Sequence, residues 1–335
     1  MRSSAIYVVP PGGLDNLVTR EIDAPDPQPG EVTIEVHANS LNHHDVLVAS
    51  GAITTDSPRI LLSDAAGEVV AIGDGESQFS LADRVMTTYL PHWQHGKPTV
   101  DGFANSPGDG VDGYARRFVT MPAAALTLIP QDYSYAEAAT LPTAGLSAWR
   151  ALFSTAALRP GQTVLVPGSS TVSLFAIQLA RAVGAHVVGT SSSPDKIDKL
   201  VGLGVDLAVN YRENPDWGLE VFRLAGNGVD HVLDIGGPAT FDQSLAAVKV
   251  GGRIAALGIM SGASSTVDFT PLLTKQVTIE GLLVGSKEHQ EEMVAGLEGL
   301  AVRPVIDSKY PYDRLADALR HQQSGRHFGK LVVAS

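Results

Sequence analysis

Residues 163–196, TVLVPGSSTVSLFAIQLARAVGAHVVGTSSSPDK, decide the fold. Thr163–Val166 is a short β-branched, apolar run that predicts a strand buried on both faces. A turn at Gly168 follows, and apolar side chains then recur at helical spacing from Val172 to Val183. His186–Thr190 predicts a second buried strand. Strand, glycine turn, helix and strand within about thirty residues predict a βαβ unit.

The turn of this unit has the features of a dinucleotide site. A helix N-terminus presents unpaired backbone N–H groups and the positive end of the helix dipole to a phosphate. Of the usual pattern G-x-G-x-x-G only the first glycine is kept. An ordinary strand-to-helix turn without a ligand is the alternative on this motif alone. The residues predicted to contact the pyrophosphate, with hydroxyl groups as additional donors, are Gly168, Ser169, Ser170, Thr171 and Val172.

The end of the second strand bears on the choice of cofactor. An NAD site carries an acidic residue about twenty positions after the first glycine, where it accepts a hydrogen bond from the ribose 2′-OH. Here that place holds a run of hydroxyl side chains. Hydroxyls and an ammonium suit a 2′-phosphate, which a carboxylate would repel, so we predict NADPH rather than NADH. Ser193 is expected to cap the helix that Pro194 begins. The residues predicted around the 2′-phosphate are Ser191, Ser192, Lys196 and Tyr211.

Composition limits the class of protein. The 335 residues are enough for two domains, and 44% hydrophobic residues are typical of a soluble globular chain. The formal charge of −12 argues against nucleic acid and anionic membrane as partners. The chain has no cysteine, which excludes disulfides, thiolate metal sites and a cysteine nucleophile, and fits a cytoplasmic protein. We expect neither a signal peptide nor a membrane span.

The pattern of elements predicts an α/β protein with two parts. Residues 1–127 hold short runs separated by Pro and Gly, which predict a β-barrel or sandwich lobe. From Pro130 onward strands alternate with helices, which predicts a doubly wound parallel sheet. The tail is expected to return to the first lobe. The six predicted sheet strands are 163–166, 186–190, 206–210, 229–235, 253–259 and 277–284, and the helices predicted around and after them include 145–154, 215–225, 240–250, 288–300 and 312–324.

Several spaced motifs resemble one known family. They are LNHHDVLVASG (41–51), SDAAGEVVAIG (63–73), LPTAGLSAWRAL (141–152), VLVPGSSTVSLFAIQLAR (164–181), GVDHVLDIGG (228–237) and GGRIAALGIMSG (251–262). Together they resemble the medium-chain dehydrogenase/reductase superfamily over the whole chain. Within it the chain resembles the zinc-free, quinone oxidoreductase-like branch, whose members are often labelled NAD(P)-dependent alcohol dehydrogenases. The resemblance implies a GroES-like lobe (1–127 plus 287–335), a Rossmann domain (128–286) and a substrate cleft between them.

The resemblance also implies where the metal ligands of zinc-dependent relatives would lie. Those positions hold Asn42, Ser63 and Thr143 in this chain. Zinc is held by thiolate, imidazole or carboxylate, so these three side chains predict that no zinc is bound. The four-cysteine lobe of structural zinc is absent as well. The pairs His43–His44 and His92–His95 lack further ligands, and we predict no metal there either.

Without zinc, hydrogen bonds must polarise the substrate, while the nicotinamide supplies the hydride. We expect Asn42 and Thr143 to act as hydrogen-bond donors to the reacting carbonyl. His44 lies where zinc-dependent relatives keep a proton-relay hydroxyl, and it is a candidate proton donor. Asp45 is expected to orient its neighbours. The alternative roles are a turn cap for Asn42 and a wall residue for His44.

Ligands of open α/β sheets bind at the carboxyl ends of the strands. By that rule and by the family resemblance, further cofactor contacts are predicted at three places. They are Gly236 after the fourth strand, Leu257, Gly258 and Ile259 after the fifth, and Val284, Gly285 and Ser286 after the sixth. The role of the polar loop 91–112 is not specified by its sequence.

We therefore expect an NADPH-dependent, zinc-free reductase of quinones, enones or related carbonyls. A catalytically weak NADPH-binding protein with a sensing or structural role is one alternative, because most of the predicted site residues bind cofactor rather than perform chemistry. An enoyl-thioester reductase is another. A β-rich strand at a sheet edge can pair with its own copy, so we also predict a homodimer through residues 277–284.

Overall fold

The computed structural model of the chain describes residues 1–75, 78–99 and 102–334. Two compact units are present: residues 1–146, 284–299 and 306–335, and residues 147–283 and 300–305. The domain boundaries expected from the sequence, at 127/128 and 286/287, stay a prediction. In the described part of the chain, no helix is long and apolar enough to cross a membrane.

The described residues form sixteen strands, ten in the first unit and six in the second. They are β1 (Arg2–Val8), β2 (Val18–Asp23), β3 (Glu31–Ser40), β4 (Arg59–Ile60), β5 (Asp64–Ile72), β6 (Arg84–Thr87), β7 (Phe118–Pro122), β8 (Leu126–Leu128), β9 (Thr163–Pro167), β10 (His186–Ser191), β11 (Leu207–Asn210), β12 (Val229–Asp234), β13 (Val248–Ala256), β14 (Thr278–Gly281), β15 (Ile306–Tyr310) and β16 (Lys330–Ala334).

The described residues form ten α-helices of four to twelve residues. They are α1 (His43–Ser50), α2 (Tyr135–Ala138), α3 (Leu146–Trp149), α4 (Thr171–Ala182), α5 (Pro194–Gly202), α6 (Trp217–Leu224), α7 (Pro238–Ala247), α8 (Phe269–Thr274), α9 (Lys287–Glu298) and α10 (Leu315–Gln323). Two π-helical turns, Leu141–Gly145 and Arg150–Ser154, flank α3, and short 3₁₀ turns lie at Ala123–Ala125 and Tyr312–Arg314.

The second unit is the predicted doubly wound domain. Its six strands pair in parallel in the order β11-β10-β9-β12-β13-β14. A core of aliphatic side chains from the sheet and its helices includes Leu165, Val188 and Val232. On α4 the buried stripe is wider than expected, because Leu174 and Ile177 are buried too.

The first unit is the predicted β-rich lobe. Its seven-stranded sheet runs β15-β16-β3-β5-β6-β8, with β7 on β3, and a three-stranded sheet runs β2-β1-β4. β16 pairs antiparallel with β3, which places the C-terminal strand in the same sheet as the N-terminal ones. This pairing is what brings Lys330, at the start of β16, to the end of β3.

Several predicted boundaries are wrong. The helix expected over 240–250 ends at Ala247, and residues 248–250 already belong to β13, which pairs with β12 from Val248. The helix expected over 145–154 is α3 followed by a π-helical turn. The helix expected over 312–324 begins as a 3₁₀ turn, and the sixth sheet strand covers only 278–281 of the predicted 277–284.

Candidate functional site

The glycine turn of the second unit is formed by backbone geometry. β9 ends at Pro167, and Gly168 takes a left-handed φ of 74°, which L side chains rarely adopt. Its N–H donates to the carbonyl oxygen of Thr190 at 2.9 Å, which ties the turn to β10. α4 then begins at Thr171. The first N–H groups of a helix have no intrahelical acceptor, so this turn has the chemistry that a pyrophosphate needs.

Ser170 has a structural task that the sequence did not indicate. It is the N-cap of α4, and its Oγ accepts a hydrogen bond from the N–H of Ser173 at 3.2 Å. The two hydroxyl oxygens lie 2.9 Å apart, and that of Ser173 donates to the carbonyl of Pro167. The expected phosphate contact by the hydroxyl of Ser170 is therefore combined with capping. Ser169, Thr171 and Val172 lie beside it, each half-buried.

The residues predicted around the 2′-phosphate come together at the ends of β10 and β11. Ser191 pairs with Asn210 in the parallel register, and the N–H of Tyr211 donates to the carbonyl of Ser191 at 3.1 Å. Tyr211 is exposed, Ser192 is half-buried, and Lys196 is half-buried in the first turn of α5.

The predicted cap of α5 is wrong in one respect. Ser193 occupies the N-cap position, but its side chain makes no capping hydrogen bond. Instead, the N–H of Ser193 donates to Oγ of Ser191 at 3.4 Å. The hydroxyl oxygen of Ser191 thus accepts a hydrogen bond from its own chain.

The loops after β12 and β13 lie in close contact and are joined by hydrogen bonds. Ser261 donates its hydroxyl to the carbonyl of Gly236 at 2.7 Å, and the N–H of Leu257 donates to the carbonyl of Asp234 at 2.7 Å. A Cβ on Gly258 would lie 2.3 Å from the carbonyl oxygen of Ile235, so a side chain there is excluded. Ile259 is 70% exposed.

The last three predicted cofactor residues belong to the first unit. Val284 has a left-handed φ of 46°, and Ser286 is fully buried as the N-cap of α9. The hydroxyl of Ser286 lies 2.9 Å from Nδ1 of His289 and accepts from its N–H at 3.3 Å. A Cβ on Gly285 would lie 3.0 Å from Cγ of Leu146. The structure thus divides the predicted cofactor residues between the two units.

The first unit brings three of the four predicted catalytic residues into one cluster. We call it the buried polar cluster, and it also contains residues that the sequence did not point out. It consists of Ser40, Asn42, Asp45, Ser63, Asp64, Thr143 and Lys330, and the hydroxyl of Ser40 donates to Oδ2 of Asp64 at 3.2 Å.

Asp45 holds two backbone segments together within this cluster. Its Oδ2 accepts from the N–H of Asn42 at 2.7 Å and its Oδ1 from the N–H of Ser63 at 3.0 Å. It is 2% exposed, at the N-terminal end of α1. Asp45 thus joins the start of α1 to the residue before β5, and its orienting role in a reaction stays a prediction.

Asn42 has a different role from the expected one. Its Nδ2 donates to Oγ of Ser63 at 3.1 Å and to Oδ2 of Asp64 at 2.9 Å, and its Oδ1 accepts from Nζ of Lys330 at 2.7 Å. Both amide hydrogens are therefore used inside the cluster rather than on a reacting carbonyl. Asn42 connects an ammonium group to a carboxylate.

Thr143 donates its hydroxyl to Oδ1 of Asp64 at 2.6 Å. It lies on the π-helical turn Leu141–Gly145, a local distortion that is frequent at functional sites. Thr143 is half-buried, whereas the other members of the cluster are buried. Thr143 is therefore the least buried member of the cluster.

The charges of the cluster influence one another. Burial and the nearby Asp64 raise the pKa of Asp45 to about 6. Burial also raises the pKa of Asp64, against the opposing effect of Lys330 and three hydrogen bonds. Burial lowers the pKa of Lys330, and the two carboxylates oppose that change. The ammonium donates to Asn42 and, at 2.8 Å, to the carbonyl of Leu41.

His44 lies apart from this network. Its Nε2 is 2.8 Å from Oδ2 of Asp109, and each of the two side chains is 15% exposed. The imidazole stacks on Phe103 with ring centroids 4.6 Å apart. Asp109 and Phe103 belong to the loop 91–112, of which Val100 and Asp101 lie outside the described residues. Part of the same loop borders a pocket of about 130 Å³ that also contacts Leu90.

The donor set does not fit zinc. Asn42 and Thr143 are neutral oxygen donors already bonded to Lys330 and Asp64, and Ser63 accepts from Asn42. A buried ammonium next to the position would repel a divalent ion, and zinc prefers thiolate, imidazole or carboxylate. Over the described ranges, no group of three or more His, Cys, Asp or Glu side chains is arranged to hold a metal.

Known proteins resemble this chain over its whole length. Residues 28–131 match the alcohol dehydrogenase GroES-like domain, and residues 171–299 match the zinc-binding dehydrogenase model. A zinc-type alcohol dehydrogenase-like protein of Schizosaccharomyces pombe is 34% identical, with 96% of each chain covered. The human quinone oxidoreductase is 28% identical, covering 94% of this chain and 92% of its own. The crystal structure of a Sinorhizobium meliloti 1021 protein assigned as an alcohol dehydrogenase superposes on this chain with a TM-score of 0.94 at 34% identity. The match covers 100% of this chain and 99% of that one.

Fold, turn and relatives together define an oxidoreductase that uses a nicotinamide cofactor. The chain belongs to the medium-chain dehydrogenase/reductase family. The residues missed by sequence reasoning are Asp64 and Lys330 in the cluster and Asp109 beside His44. The available signal was a charged residue at the first position of a strand rich in small and aliphatic residues, as in Asp64 of β5 and Lys330 of β16.

Proposed function

We propose that the protein is an NADPH-dependent, zinc-free reductase of quinones, enones or related carbonyl compounds. The observation that supports this most is the buried polar cluster: Asn42, Ser63 and Thr143 are organised around Asp64 and Lys330 rather than around a metal. The likeness to the human quinone oxidoreductase supports the substrate class. The lack of cysteine supports a cytoplasmic location.

The residues around the glycine turn fit a dinucleotide, and when bound its reduced nicotinamide supplies a hydride. The first turn of α4 binds the pyrophosphate through backbone N–H groups. Ser192, Lys196 and Tyr211 bind the 2′-phosphate through hydroxyls and an ammonium, while no carboxylate of that run opposes it. The first unit supplies the proton, from Thr143 or from His44, each of which is bonded to a carboxylate.

Cofactor choice is tested by titrating the protein with NADPH and NADH and following nucleotide fluorescence. We expect tighter binding of NADPH. The variant Ser192→Glu places a carboxylate where the 2′-phosphate binds. It should lower the affinity for NADPH by about tenfold or more, which is about 1.4 kcal/mol, without lowering the affinity for NADH. The same substitution at the exposed Ser80 in the first unit is the control. Equal affinity of the wild type for the two cofactors would contradict the proposal.

The reaction is tested by following NADPH oxidation with benzoquinone, cyclohexenone, benzaldehyde and crotonyl-CoA. Turnover of the quinone or the enone above the others supports the proposal. Preference for the thioester would favour an enoyl-thioester reductase, and no turnover of any member would favour an NADPH-binding protein. Metal analysis of the purified protein accompanies the assay, and one tightly held zinc per chain would contradict a zinc-free site.

We also propose a homodimer that pairs β14 with its copy. β14 is at the edge of the parallel sheet, and Ile279 on it is 38% exposed. Exposed apolar side chains on the neighbouring segments, Met260 and Leu273, add to this edge. Ile279→Lys should yield a monomer in sedimentation analysis, whereas Leu219→Lys on α6, an equally apolar exposed position, should not. A monomeric wild type would rule out this pairing.

A further inference from the structure

One continuous chain of hydrogen bonds crosses the buried polar cluster. It runs from Nζ of Lys330 to Oδ1 of Asn42, from Nδ2 of Asn42 to Oδ2 of Asp64, and ends with the hydroxyl of Thr143 on Oδ1 of Asp64. The three distances are 2.7, 2.9 and 2.6 Å. The ammonium of Lys330 thus lies at the buried end, and the half-buried residue Thr143 lies at the other end. Such chains polarise their members cooperatively.

The two carboxyl groups of the cluster differ in their partners. Both oxygens of Asp45 accept from backbone N–H groups, which cannot accept a hydrogen bond in return. A proton on either oxygen of Asp45 would therefore point at another hydrogen-bond donor, which is unfavourable. Oδ1 of Asp64 faces the hydroxyl of Thr143, which can accept as well as donate. Of the two, Asp64 is the side chain whose surroundings tolerate both protonation states.

Charge balance points to one retained proton. The cluster holds two carboxyl groups and one ammonium, and a net charge inside a protein is costly. One proton on the pair makes the buried cluster neutral. The groups that face Asp64 are Lys330 from β16, Asp45 from α1, and the phenols Tyr89 and Tyr114, whose pKa values burial raises so that both stay neutral.

We propose that Asp64 stores the proton that follows the hydride, and that Thr143 delivers it to the oxygen of the substrate. Asn42 and Lys330 are positioning residues that hold Asp64 and balance its charge. The proposal rests on the proposed function, because it assigns the proton of that reduction. It goes beyond the expected donor roles of Asn42 and His44.

The step balances as follows. The substrate gains a hydride with its electron pair from the reduced cofactor, which is oxidised, and the electrons of the carbonyl π bond move to the oxygen. That oxygen forms an O–H bond with the proton of Thr143, whose own O–H bond breaks. Oγ1 of Thr143 takes the proton of Asp64, and the carboxylate that is left is stabilised by Lys330 through Asn42. Water restores the proton after the product leaves.

The first test is infrared spectroscopy of the protein without cofactor or substrate. A protonated carboxyl group has a C=O stretching band that a carboxylate lacks, so a pH titration should show this band near neutral pH. At pH 8, above the pKa of about 6 of Asp45, we expect the band to be lost in Asp64→Asn and kept in Asp45→Asn. In Lys330→Met it should persist to higher pH, because the opposing cation is gone. A band that survives in Asp64→Asn and disappears in Asp45→Asn would overturn the assignment.

The second test is kinetic, with the substrate that the wild type turns over fastest. Asp64→Asn keeps the shape and the hydrogen bonds of a protonated carboxyl group but cannot release a proton. It should lower kcat by about 100-fold or more and remove the decline of kcat at alkaline pH that deprotonation of Asp64 causes. Thr143→Val should lose as much, and Thr143→Ser should restore most of it. Thr33→Val, which removes a threonine pair elsewhere in the same unit, is the control.

The outcomes separate this inference from the proposed function. Absence of turnover by the wild type on every substrate overturns the proposed function. An active wild type without the infrared band, or an active Thr143→Val variant with an unchanged pH profile, overturns the proton store alone. NADPH affinity, measured by fluorescence in each variant, should stay within about threefold of wild type, and a larger loss would show that the cluster acts on binding instead.

Discussion

The buried polar cluster of the first unit and the glycine turn of the second unit use opposite physical means. In the cluster the work is done by side chains, almost all buried, whose donors and acceptors are paired with one another. In the turn it is done by backbone N–H groups at a helix start, surrounded by small, half-buried residues. The comparison teaches that the protein buries its own charged side chains and pairs them with one another. The negative charge of a ligand, in contrast, is bound by backbone N–H groups that have no partner within the helix.

The largest effect should follow from removing the cation of the cluster. Lys330→Met leaves two buried carboxyl groups without their counter-charge and Asn42 without its donor. Breaking a buried charge network from one side costs about 3–5 kcal/mol, so the free energy of unfolding in urea should fall by that amount. Lys309→Met, at an exposed lysine of the same unit, should change it by less than about 0.5 kcal/mol. A loss below about 1 kcal/mol in Lys330→Met would show that the cluster does not depend on its ammonium.

A smaller effect concerns the pH dependence of stability. The pKa of Asp45 is raised to about 6 in the folded protein, so the folded state binds a proton that the unfolded chain has released. The stability that Asp45 adds is therefore complete below pH 4 and is lost as the pH rises through 6, by about 3 kcal/mol. Asp45→Asn lacks this term, so its stability deficit against wild type should shrink from pH 4 to pH 7 in urea unfolding. If the stability deficit of Asp45→Asn grew from pH 4 to pH 7, the pKa of Asp45 would be lowered by folding rather than raised.

The two regions also differ in how far the sequence predicts them. The glycine turn lies within one continuous stretch, where β-branched runs, Gly168 and helical spacing are all local, and the six parallel strands follow from the same kind of signal. The cluster joins Asn42 to Lys330, 288 positions apart, through the pairing of β16 with β3, and no local pattern encodes that register. For the same reason Asn42 was expected to contact the substrate. The start of β13 at Val248 shows tertiary pairing overriding a helical pattern.

The turn predicts a third, smaller effect, on cofactor binding. Gly168 and Gly161 both have left-handed φ values, 74° and 80°, and a Cβ on either would have no atom within 4 Å. Replacement by alanine should therefore cost both variants about 1 kcal/mol of stability for the backbone alone. Only Gly168→Ala places a methyl group where the cofactor phosphates approach the start of α4. It should therefore weaken NADPH binding about tenfold, whereas Gly161→Ala should not. If the two variants bound NADPH with equal affinity, the phosphates of the cofactor would not bind at this turn.

The smallest effect is expected at His44. Its partner Asp109 and the ring of Phe103 hold it outside the buried polar cluster, and both members of the pair are partly exposed. Nε2 of His44 is hydrogen-bonded to Asp109 rather than to a member of the buried polar cluster, so we expect His44→Ala and Asp109→Asn to lower kcat by no more than about fivefold, or about 1 kcal/mol. The measurement is steady-state turnover of the two variants beside Thr143→Val. A loss of about 100-fold in His44→Ala, with Thr143→Val nearly unchanged, would assign proton delivery to His44 and Asp109, because general acids contribute that much when they act directly.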